Sequence, residues 1–442
     1  MTSYSGGLKT RPSSKGIAVE VYERLHMLSV DENRLLTEIG PGTRMGALLR
    51  RYWQPLGSVA EMSERWTKRI RIFGEDLVLF KDRTGAFGLM AEKCPHRGAS
   101  LAYGMPTFEG LRCAYHGWMF DTTGRCIEMP NEPPESTYRD RVKASGYPVR
   151  QLGGLLWGYL GEGAAPFIPK LDGLVAEGTI RSLGKAVVNC NWLQIMENSV
   201  DSVHTEWLHG KYYEFLKEAD GTKVSIAKHH LKIGFDEFQY GIVKRRVLEG
   251  HTEEDDDWKV GHPLVFPNTL AIGNAGDDWH EFRFQFRVPI DDTHTQHYWY
   301  SAFVIPPGVE VPAHFFDRVH EYDVPVRDAN GEYILDSIHA QDIMAWETQG
   351  AIADRTTESL NSSDRGVTLY RRMLLRELAR AEAGEDPKNV AREPAVDSVI
   401  ELPLETKKAH RAEGFEDLLL RHQIRYAPIA DELIAIFSRA QA

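Results

Sequence analysis

Hydrophobic and polar positions follow different periods in successive parts of this 442-residue chain. Residues 1–26 are rich in Ser, Gly and Lys without sustained periodicity, which predicts a disordered leader. The next stretch, MLSVDENRLLTEIGPGTRMGALLRRYW, predicts a helical segment over 27–52 that packs against the C-terminal part. From 53 to 167, short apolar runs such as RIRIFGEDLVLFKD alternate with Gly, Asp and Pro turns. This pattern predicts a small antiparallel β domain.

Residues 168–442 predict a second, mixed domain, so that the whole chain is α+β. Apolar residues recur every three or four positions over 192–209, as on one face of a helix: Leu193, Met196, Val200, Val203 and Trp207. Residues 223–305 alternate β-branched and aromatic residues with polar ones, which predicts a sheet of several strands. Beyond Pro325, helices are predicted over 337–360, over 362–384, and from about Glu416 with a kink at Pro428. The acidic run EEDDD at 253–257 is typical of a solvated loop.

Composition and charge narrow the class of protein. Hydrophobic residues make up 42% and charged residues 26%, as in ordinary globular proteins. Lys and Arg total 52 against 64 Asp and Glu, and the net charge of -12 disfavours nucleic acid or an anionic membrane as a partner. The N-terminus lacks the apolar core of a secretory signal, and no apolar run could span a bilayer, so we expect a cytoplasmic protein.

The four cysteines are too few for a disulfide framework, and two of them lie beside histidines. Cys94 and His96 form C-x-H, and after sixteen residues Cys113 and His116 form C-x-x-H. Zinc sites usually open with a longer gap between paired ligands, and the C-x-x-C-H motif of c-type haem is absent. Two thiolates and two imidazoles suit a Rieske [2Fe–2S] cluster, a one-electron carrier with a potential of roughly -150 to +300 mV. Cys126 and Cys190 are predicted to be spare buried thiols.

A second group of candidate ligands lies in ENSVDSVHTEWLHG. His209 follows His204 by five positions, about 140° round a regular helix, so both can bind one metal only if the helix ends or loosens before His209. Gly210 is well placed to end it. Two histidines and one carboxylate form the facial triad of non-haem iron(II) oxygenases. Periodicity leaves the carboxylate open among four residues: Asp336, Asp342, Glu347 and Asp354.

Both groups carry a family resemblance. CPHRGASL and CAYHGW resemble the two cluster loops of Rieske oxygenases, which implies that Cys94 and Cys113 bind one iron and that the two histidines bind the other. The patterns NxxDxxHxxxxH at 198–209 and QDIMAWETQGAIADRTTESLNSSDRGV at 341–367 resemble the catalytic domain of the phthalate dioxygenase group. The resemblance covers about residues 27–380. It implies an antiparallel sheet wrapped by helices, of the helix-grip or START-like type, and an iron triad completed by Asp342.

The resemblance also implies how the protein works. Subunits would form a homotrimer or a dimer of trimers, in which Asp201 links His204 to His116 of the partner subunit. Electrons would come from a separate NAD(P)H-dependent flavin and iron–sulfur reductase, directly or through a ferredoxin. The absence of a G-x-G-x-x-G motif agrees with an external reductase.

The expected substrates are O2 and an aromatic compound that is carboxylated, methoxylated or both. Asn198 resembles the pattern of members that hydroxylate a methoxy or N-methyl group and release formaldehyde, so O-demethylation is the main prediction. Ring cis-dihydroxylation of an aromatic acid is the alternative, and a non-catalytic electron-transfer protein is a third interpretation. Arg245 and Arg246 could bind a carboxylate, although surface positions would explain them better.

Overall fold

The computed structural model describes residues 27–275, 280–393, 398–404 and 415–439. The predicted leader over 1–26 lies outside these ranges. The described chain opens with two helices, α1 (Val30–Thr37) and α2 (Arg44–Leu49). Ser29 starts α1 with a capping box, in which its side chain and that of Glu32 satisfy each other's backbone N–H groups. Asn33 donates to the Ala353 carbonyl at 3.2 Å, so this segment packs on the C-terminal half of the chain.

Residues 53–159 form small antiparallel sheets. Their strands are β1 (Trp53–Ser58), β2 (Thr67–Ile72), β3 (Glu75–Lys81), β4 (Phe87–Ala91), β5 (Met105–Pro106), β6 (Leu111–Arg112), β7 (Met119–Phe120), β8 (Cys126–Glu128), β9 (Gly146–Tyr147), β10 (Val149–Leu152) and β11 (Leu155–Tyr159). The strand orders are β1-β11-β10, β2-β3-β4-β9 and β5-β6-β7-β8, and the neighbouring strands run antiparallel. One short helix, α3 (Glu61–Glu64), follows β1. The β fold predicted for this part is confirmed.

A large sheet dominates the rest of the chain. Its strands are β12 (Thr179–Val188), β13 (His230–Phe238), β14 (Gly241–Leu248), β15 (His262–Val265), β16 (Thr269–Ala275), β17 (His280–Asp291), β18 (His294–Val304) and β19 (Val319–Asp323), in the order β13-β14-β15-β16-β17-β18-β12-β19. The sheet is antiparallel except that β12 and β19 are parallel. The predicted antiparallel sheet is confirmed with one parallel pair at this edge, because the chain leaving β18 crosses past β12 and returns in the same direction as β12.

Helices cover both faces of this sheet. They are α4 (Asp172–Val175), α5 (Trp192–Ser199), α6 (His204–Glu206), α7 (Tyr213–Ala219), α8 (Asp256–Lys259), α9 (Ile338–Glu347), α10 (Arg365–Glu382), α11 (Phe415–Arg421) and α12 (Ala430–Arg439). Strand β18 divides the core with period two: Tyr298 and Tyr300 join the cluster with α5 and α10, whereas Trp299 and Phe303 join the cluster with α9, α11 and α12. The α+β fold is confirmed.

Two predicted helices are shorter than expected. The helix predicted over 337–360 ends at Glu347, because the buried Gln194 side chain donates to the carbonyls of Trp346 and Gly350, and Gly350 turns the chain with φ +96°. The final helix is divided by a 3₁₀ turn over Gln423–Tyr426, so Pro428 separates α11 from α12 instead of kinking one helix. None of the helices in the described ranges is long and apolar enough to cross a bilayer.

The acidic run at 253–257 is only partly a solvated loop. Asp257 is buried in α8, and its carboxylate pairs with Arg246 at 2.8 Å. A periodicity argument cannot detect this pair, because the cation lies on a neighbouring strand.

A buried ion-pair network joins α5 to α10. The Glu197 carboxylate accepts hydrogen bonds from Arg355 at 2.7 Å and from Arg371 at 2.6 Å, and Arg371 also pairs with Glu358. Burial alone would raise the pKa of Glu197, but the two arginines outweigh it and lower that pKa. Removing one partner from such a buried network typically costs about 3–5 kcal/mol. The network therefore holds α5, which leads into the second candidate site, firmly in place.

Candidate metal centres and their cavity

The first candidate centre is built by two similar tight loops in the N-terminal β region. The first loop follows β4, and the Cys94 N–H donates to the Ala99 carbonyl at 2.8 Å. The second loop joins β6 to β7, and the Cys113 N–H donates to the Trp118 carbonyl at 2.8 Å. Both cysteines are buried free thiols. The C-x-H motif and the C-x-x-H motif thus occupy equivalent positions at the tips of neighbouring loops.

The histidines of these loops lie side by side. The ring centroids of His96 and His116 are 4.5 Å apart, and His96 stacks on Trp118 at 4.4 Å. Both imidazoles are only partly buried, and Tyr115 next to His116 is exposed. The edge that carries the histidines therefore faces outward, while the thiols face the core.

The second candidate centre depends on a break in the predicted helix. Helix α5 ends at Ser199, residues 200–203 leave the helical path, and the chain resumes as α6 and then as a π-helix over Trp207–Tyr212. The predicted loosening before His209 is present as this π turn, but the expectation that Gly210 ends the helix is wrong, since the chain stays helical to Ala219. The predicted apolar stripe also fails at Trp207, which is exposed. The wider π turn changes the angle between His204 and His209.

The structure brings His204, His209 and Asp342 together. One ligand atom from each lies within 4.8 Å of the others. Asp342 Oδ1 is 3.1 Å from His209 Nε2 and 3.9 Å from His204 Nε2. Among the residues that the structure describes, this is the only group of three or more such side chains that meets this distance limit.

The other three candidate carboxylates have different partners. Asp336 pairs with Arg425 at 2.9 Å on the surface, and Asp354 accepts hydrogen bonds from Thr356. Glu347 accepts hydrogen bonds from the Asn189 backbone and from Arg327. The tertiary structure thus identifies Asp342 as the one of the four carboxylates that lies beside the histidines, which the helical period could not do.

Each histidine of this group has a polar side chain beside its Nδ1, but only His209 is hydrogen-bonded to that side chain. Gln341 accepts a hydrogen bond from His209 Nδ1 at 2.9 Å, and because the Gln341 amide donates to the Leu335 carbonyl, its oxygen must face the imidazole. In the neutral imidazole, Nε2 is then the nitrogen with the free lone pair, the form in which a histidine binds a metal. Asp201 Oδ2 lies 3.3 Å from His204 Nδ1. The role of Gln341 was missed in the sequence, although it directly precedes Asp342.

Electrostatics keep both aspartates ionised. Burial opposes ionisation of Asp342, but His209, His204 and Arg287 together lower its pKa. For Asp201, burial is outweighed chiefly by His204, with help from the Val203 N–H and Lys244, and the pKa falls to about 2.

A cavity of about 350 Å³ opens beside this group. His204, His209, Asp342 and Asn198 all line it. The C-terminal segment contributes three further lining residues that sequence reasoning missed: Arg421, His422 and Gln423. Strand β17 contributes another three: Arg283, Gln285 and Arg287. The alternation in RFQFR was the available signal, since positions two apart share one face of a strand.

The two arginines proposed for a carboxylate differ in position. Arg246 lines the cavity and is paired with Asp257, whereas Arg245 pairs with Asp236 at 2.7 Å. A larger cavity of about 540 Å³ lies elsewhere, between strands β1 and β11 and a lining that includes residues 386–393, Ser398 and Ile400. Its described lining includes none of the candidate metal ligands.

The donor sets fit the metals that the sequence predicts. At the first centre, burial and the nearby Cys113 raise the pKa of the Cys94 thiol to about 11, so a bound cation is needed to hold it as a thiolate. The buried Nδ1 of His96 has no hydrogen-bond partner among the described residues. At the second centre, the buried Asp342 Oδ1 likewise lacks a hydrogen-bond partner in the described structure. Two nitrogens and one carboxylate suit a ferrous ion.

Comparisons with known proteins agree with this description. Residues 52–144 match the family model of the Rieske [2Fe-2S] domain, and residues 331–400 match a model described as LigXa C-terminal domain like. The chain is 41% identical over 380 residues to the 5,5'-dehydrodivanillate O-demethylase oxygenase subunit of Sphingobium sp. (strain NBRC 103272 / SYK-6), covering 85% of this chain and 87% of the relative. It is 34% identical over 402 residues to the phthalate 4,5-dioxygenase oxygenase subunit of Pseudomonas putida, covering 81% and 88%.

Solved structures show the same fold at lower identity. The structure of Pseudomonas putida CBB5 NdmB has a TM-score of 0.57 and 17% identity, and the match covers 79% of this chain and 95% of the NdmB chain. Dicamba monooxygenase bound to dicamba has a TM-score of 0.51 and 16% identity, with coverage of 76% and 99%.

The family model and the two relatives define a Rieske [2Fe–2S] protein with an attached catalytic region. The chain belongs to the Rieske non-haem iron oxygenases, as an oxygenase (alpha) subunit. It is therefore an oxidoreductase that incorporates oxygen from O2, and the interpretation as a non-catalytic electron-transfer protein is wrong. Oxygenase subunits of this family use a Rieske cluster and a mononuclear iron, and they receive electrons from a separate reductase or ferredoxin.

Proposed function

We propose that this oxygenase subunit catalyses the oxidative O-demethylation of a methoxylated aromatic acid. One methyl ether, one O2, two electrons and two protons give a hydroxymethyl ether and one water. The hydroxymethyl ether then breaks its C–O bond, losing the hydroxyl proton to yield formaldehyde while the ring oxygen is protonated to a phenol. The electrons derive from NAD(P)H through the reductase.

Seven side chains hold the two metal centres. Cys94, Cys113, His96 and His116 hold the cluster, and His204, His209 and Asp342 hold the iron. When bound, the cluster supplies one-electron transfer and the ferrous ion supplies O2 activation. Gln341 and Asp201 orient the two histidines through Nδ1, as outer partners of metal-bound imidazoles commonly do. Asn198 faces the cavity that would hold the aromatic ring.

The observation that carries the choice of reaction is the 41% identity with an O-demethylase oxygenase subunit over 85% of this chain. Ring cis-dihydroxylation is the second candidate, and the 34% identity with a phthalate 4,5-dioxygenase subunit supports it. Positively charged side chains in the cavity lining favour an anionic substrate in either case.

Product analysis separates the two reactions. The purified protein, supplied with a generic ferredoxin reductase and NADH, is incubated with methoxylated and carboxylated aromatics under ¹⁸O2. We expect formaldehyde in equal amount to the substrate consumed and a phenol that lacks ¹⁸O, because the oxygen enters the methyl group. A dihydrodiol carrying two ¹⁸O atoms would instead establish ring dihydroxylation.

We further propose a homotrimer or a dimer of trimers, working in the cytoplasm where its NAD(P)H-dependent reductase obtains electrons. Asp201 is 28% exposed in a single chain, and His116 lies at the outward edge of its loop. Both groups are therefore accessible to a partner subunit, as a bridge from Asp201 to His116 of the partner subunit requires.

Replacing Asp201 with asparagine tests this bridge. We expect both metal centres to remain, while oxidation of the reduced cluster in a single turnover slows by about 10- to 100-fold, the usual cost of losing an outer partner of a metal-bound histidine. The change keeps the size of the side chain but removes the negative charge that the Asp201 carboxylate carries at neutral pH because of its low pKa. Rapid mixing of the reduced protein with substrate and O2, followed by cluster absorbance, measures this rate.

Asp220→Asn is the control, since this exposed aspartate lies at the end of the same helical segment. An unchanged rate in Asp201→Asn would remove Asp201 from the path of the electron.

A further inference from the structure

Arg287 differs from the other buried arginines of the described structure. Arg283 pairs with Glu281 at 2.9 Å, and Arg355 and Arg371 pair with Glu197. Arg287 is only 1% exposed, yet none of the described carboxylates lies within ion-pair distance of its guanidinium. Buried charges are normally paired with an opposite charge, but Arg287 has no such counterion among the described residues.

The hydrogen bonds of Arg287 do not neutralise it. Nη1 donates to the Gln285 carbonyl at 3.0 Å, and Nη2 donates to Gln285 Oε1 at 2.7 Å. Both acceptors are uncharged, and the buried Nε–H has no acceptor in the described structure. Burial lowers the pKa of Arg287 to about 9, with Asp342 opposing, so the group remains charged at neutral pH. Gln285 therefore fixes the guanidinium in place and leaves its charge available.

The position of Arg287 shows where a counterion could come from. Arg287 lines the same cavity as His204 and Asp342. In the proposed function, the iron neutralises the negative charge of Asp342, so this carboxylate does not act as the counterion of Arg287. Glu206 is the other carboxylate in the described lining, and it accepts hydrogen bonds from His229 and His230. A small anion that enters the cavity is thus the remaining source of negative charge.

We propose that Arg287 is the specificity-determining residue of this oxygenase and binds a carboxylate of the aromatic substrate. The planar guanidinium suits a carboxylate, because two parallel N–H groups can donate to its two oxygens. The inference rests on the proposed function only in taking this cavity as the substrate site. It predicts that acids are accepted in preference to neutral analogues of the same shape.

Binding measurements under anaerobic conditions test the inference without turnover. The probes are 4-hydroxy-3-methoxybenzoate and its neutral carboxamide, titrated calorimetrically into the complete metal-loaded protein. We expect the wild-type protein to bind the acid at least about tenfold more tightly than the amide. In Arg287→Gln, binding of the acid should weaken by about 30-fold or more, as for loss of a buried charged partner, while binding of the amide changes less than threefold.

Two further variants make the result specific. Lys223→Gln removes the same charge from an exposed position outside the cavity lining, and both affinities should stay within threefold of the wild type. Arg287→Lys keeps the charge without the planar fork, so it should retain part of the preference for the acid, and it replaces Arg287→Gln if that variant does not fold. Iron content and cluster absorbance verify that each protein is intact.

The inference fails if the wild-type protein binds neither probe, if it shows no preference for the acid, or if the preference survives in Arg287→Gln. These outcomes are distinct from a failure of the proposed reaction. A dihydrodiol product with an Arg287-dependent preference for acids would overturn O-demethylation alone, whereas formaldehyde release by Arg287→Gln at an unchanged KM for the acid would overturn the role of Arg287 alone.

Discussion

Asp342→Ala is expected to abolish turnover and remove the mononuclear iron while leaving the cluster intact. The Asp342 oxygen lies 3.1 Å from His209 and is the only charged donor of the three-residue group. Two neutral imidazoles alone bind ferrous iron weakly, so we expect iron affinity to fall by more than about 100-fold, beyond the loss caused by removing an outer partner. Total iron should drop from about three to about two per chain. Metal analysis and the visible spectrum measure both effects.

Asp336→Asn is the matched control for this change. Asp336 lies just before the same helix, was an equal candidate from periodicity, and pairs with Arg425 on the surface. We expect normal iron content and activity, because an exposed ion pair contributes at most about 1 kcal/mol to stability. Full iron in Asp342→Ala, together with iron loss in Asp336→Asn, would show that the wrong carboxylate has been assigned.

Cys113→Ser is expected to give a colourless protein that retains the mononuclear iron. The Cys113 thiol is buried at the tip of its loop, and a serine hydroxyl is a harder donor that holds an iron–sulfur cluster poorly. Total iron should fall from about three to about one per chain, and NADH-driven turnover should stop because the electron carrier is missing. Electron paramagnetic resonance of the reduced protein should show the Rieske signal disappear.

Cys126→Ser provides the comparison within the same core. Cys126 is as buried as Cys113 and belongs to the same hydrophobic cluster, but it stands outside both loop motifs. The colour and signal should persist in this variant. If the cluster were lost in Cys126→Ser and kept in Cys113→Ser, the cluster assignment would have to be rebuilt around another thiol.

The fold was largely predictable because hydrophobic residues recur with a clear period in each of its parts. The alternation over 223–305 corresponds to strands β13 to β18, and the turn-rich region after Trp53 corresponds to the small antiparallel sheets. Errors arose where a contact distant in the sequence overrides the local period. The helix after Ser337 ends early because Gln194 caps its C-terminus, and Asp257 is buried because Arg246 reaches it.

The sequence by itself determined the donor motifs and the class of chemistry. The ligands of each cluster loop lie within four residues of one another, and His204 and His209 lie within one helical segment, so local spacing constrains them. Periodicity left four carboxylates open and the resemblance pointed to Asp342, but only the tertiary structure showed Asp342 beside the histidines, how Gln341 orients His209, and that Arg287 lines their cavity unpaired. These residues are brought together by the packing of helix α9 and strand β17 around the site. Contacts between residues that are far apart in the sequence leave no periodic pattern in that sequence.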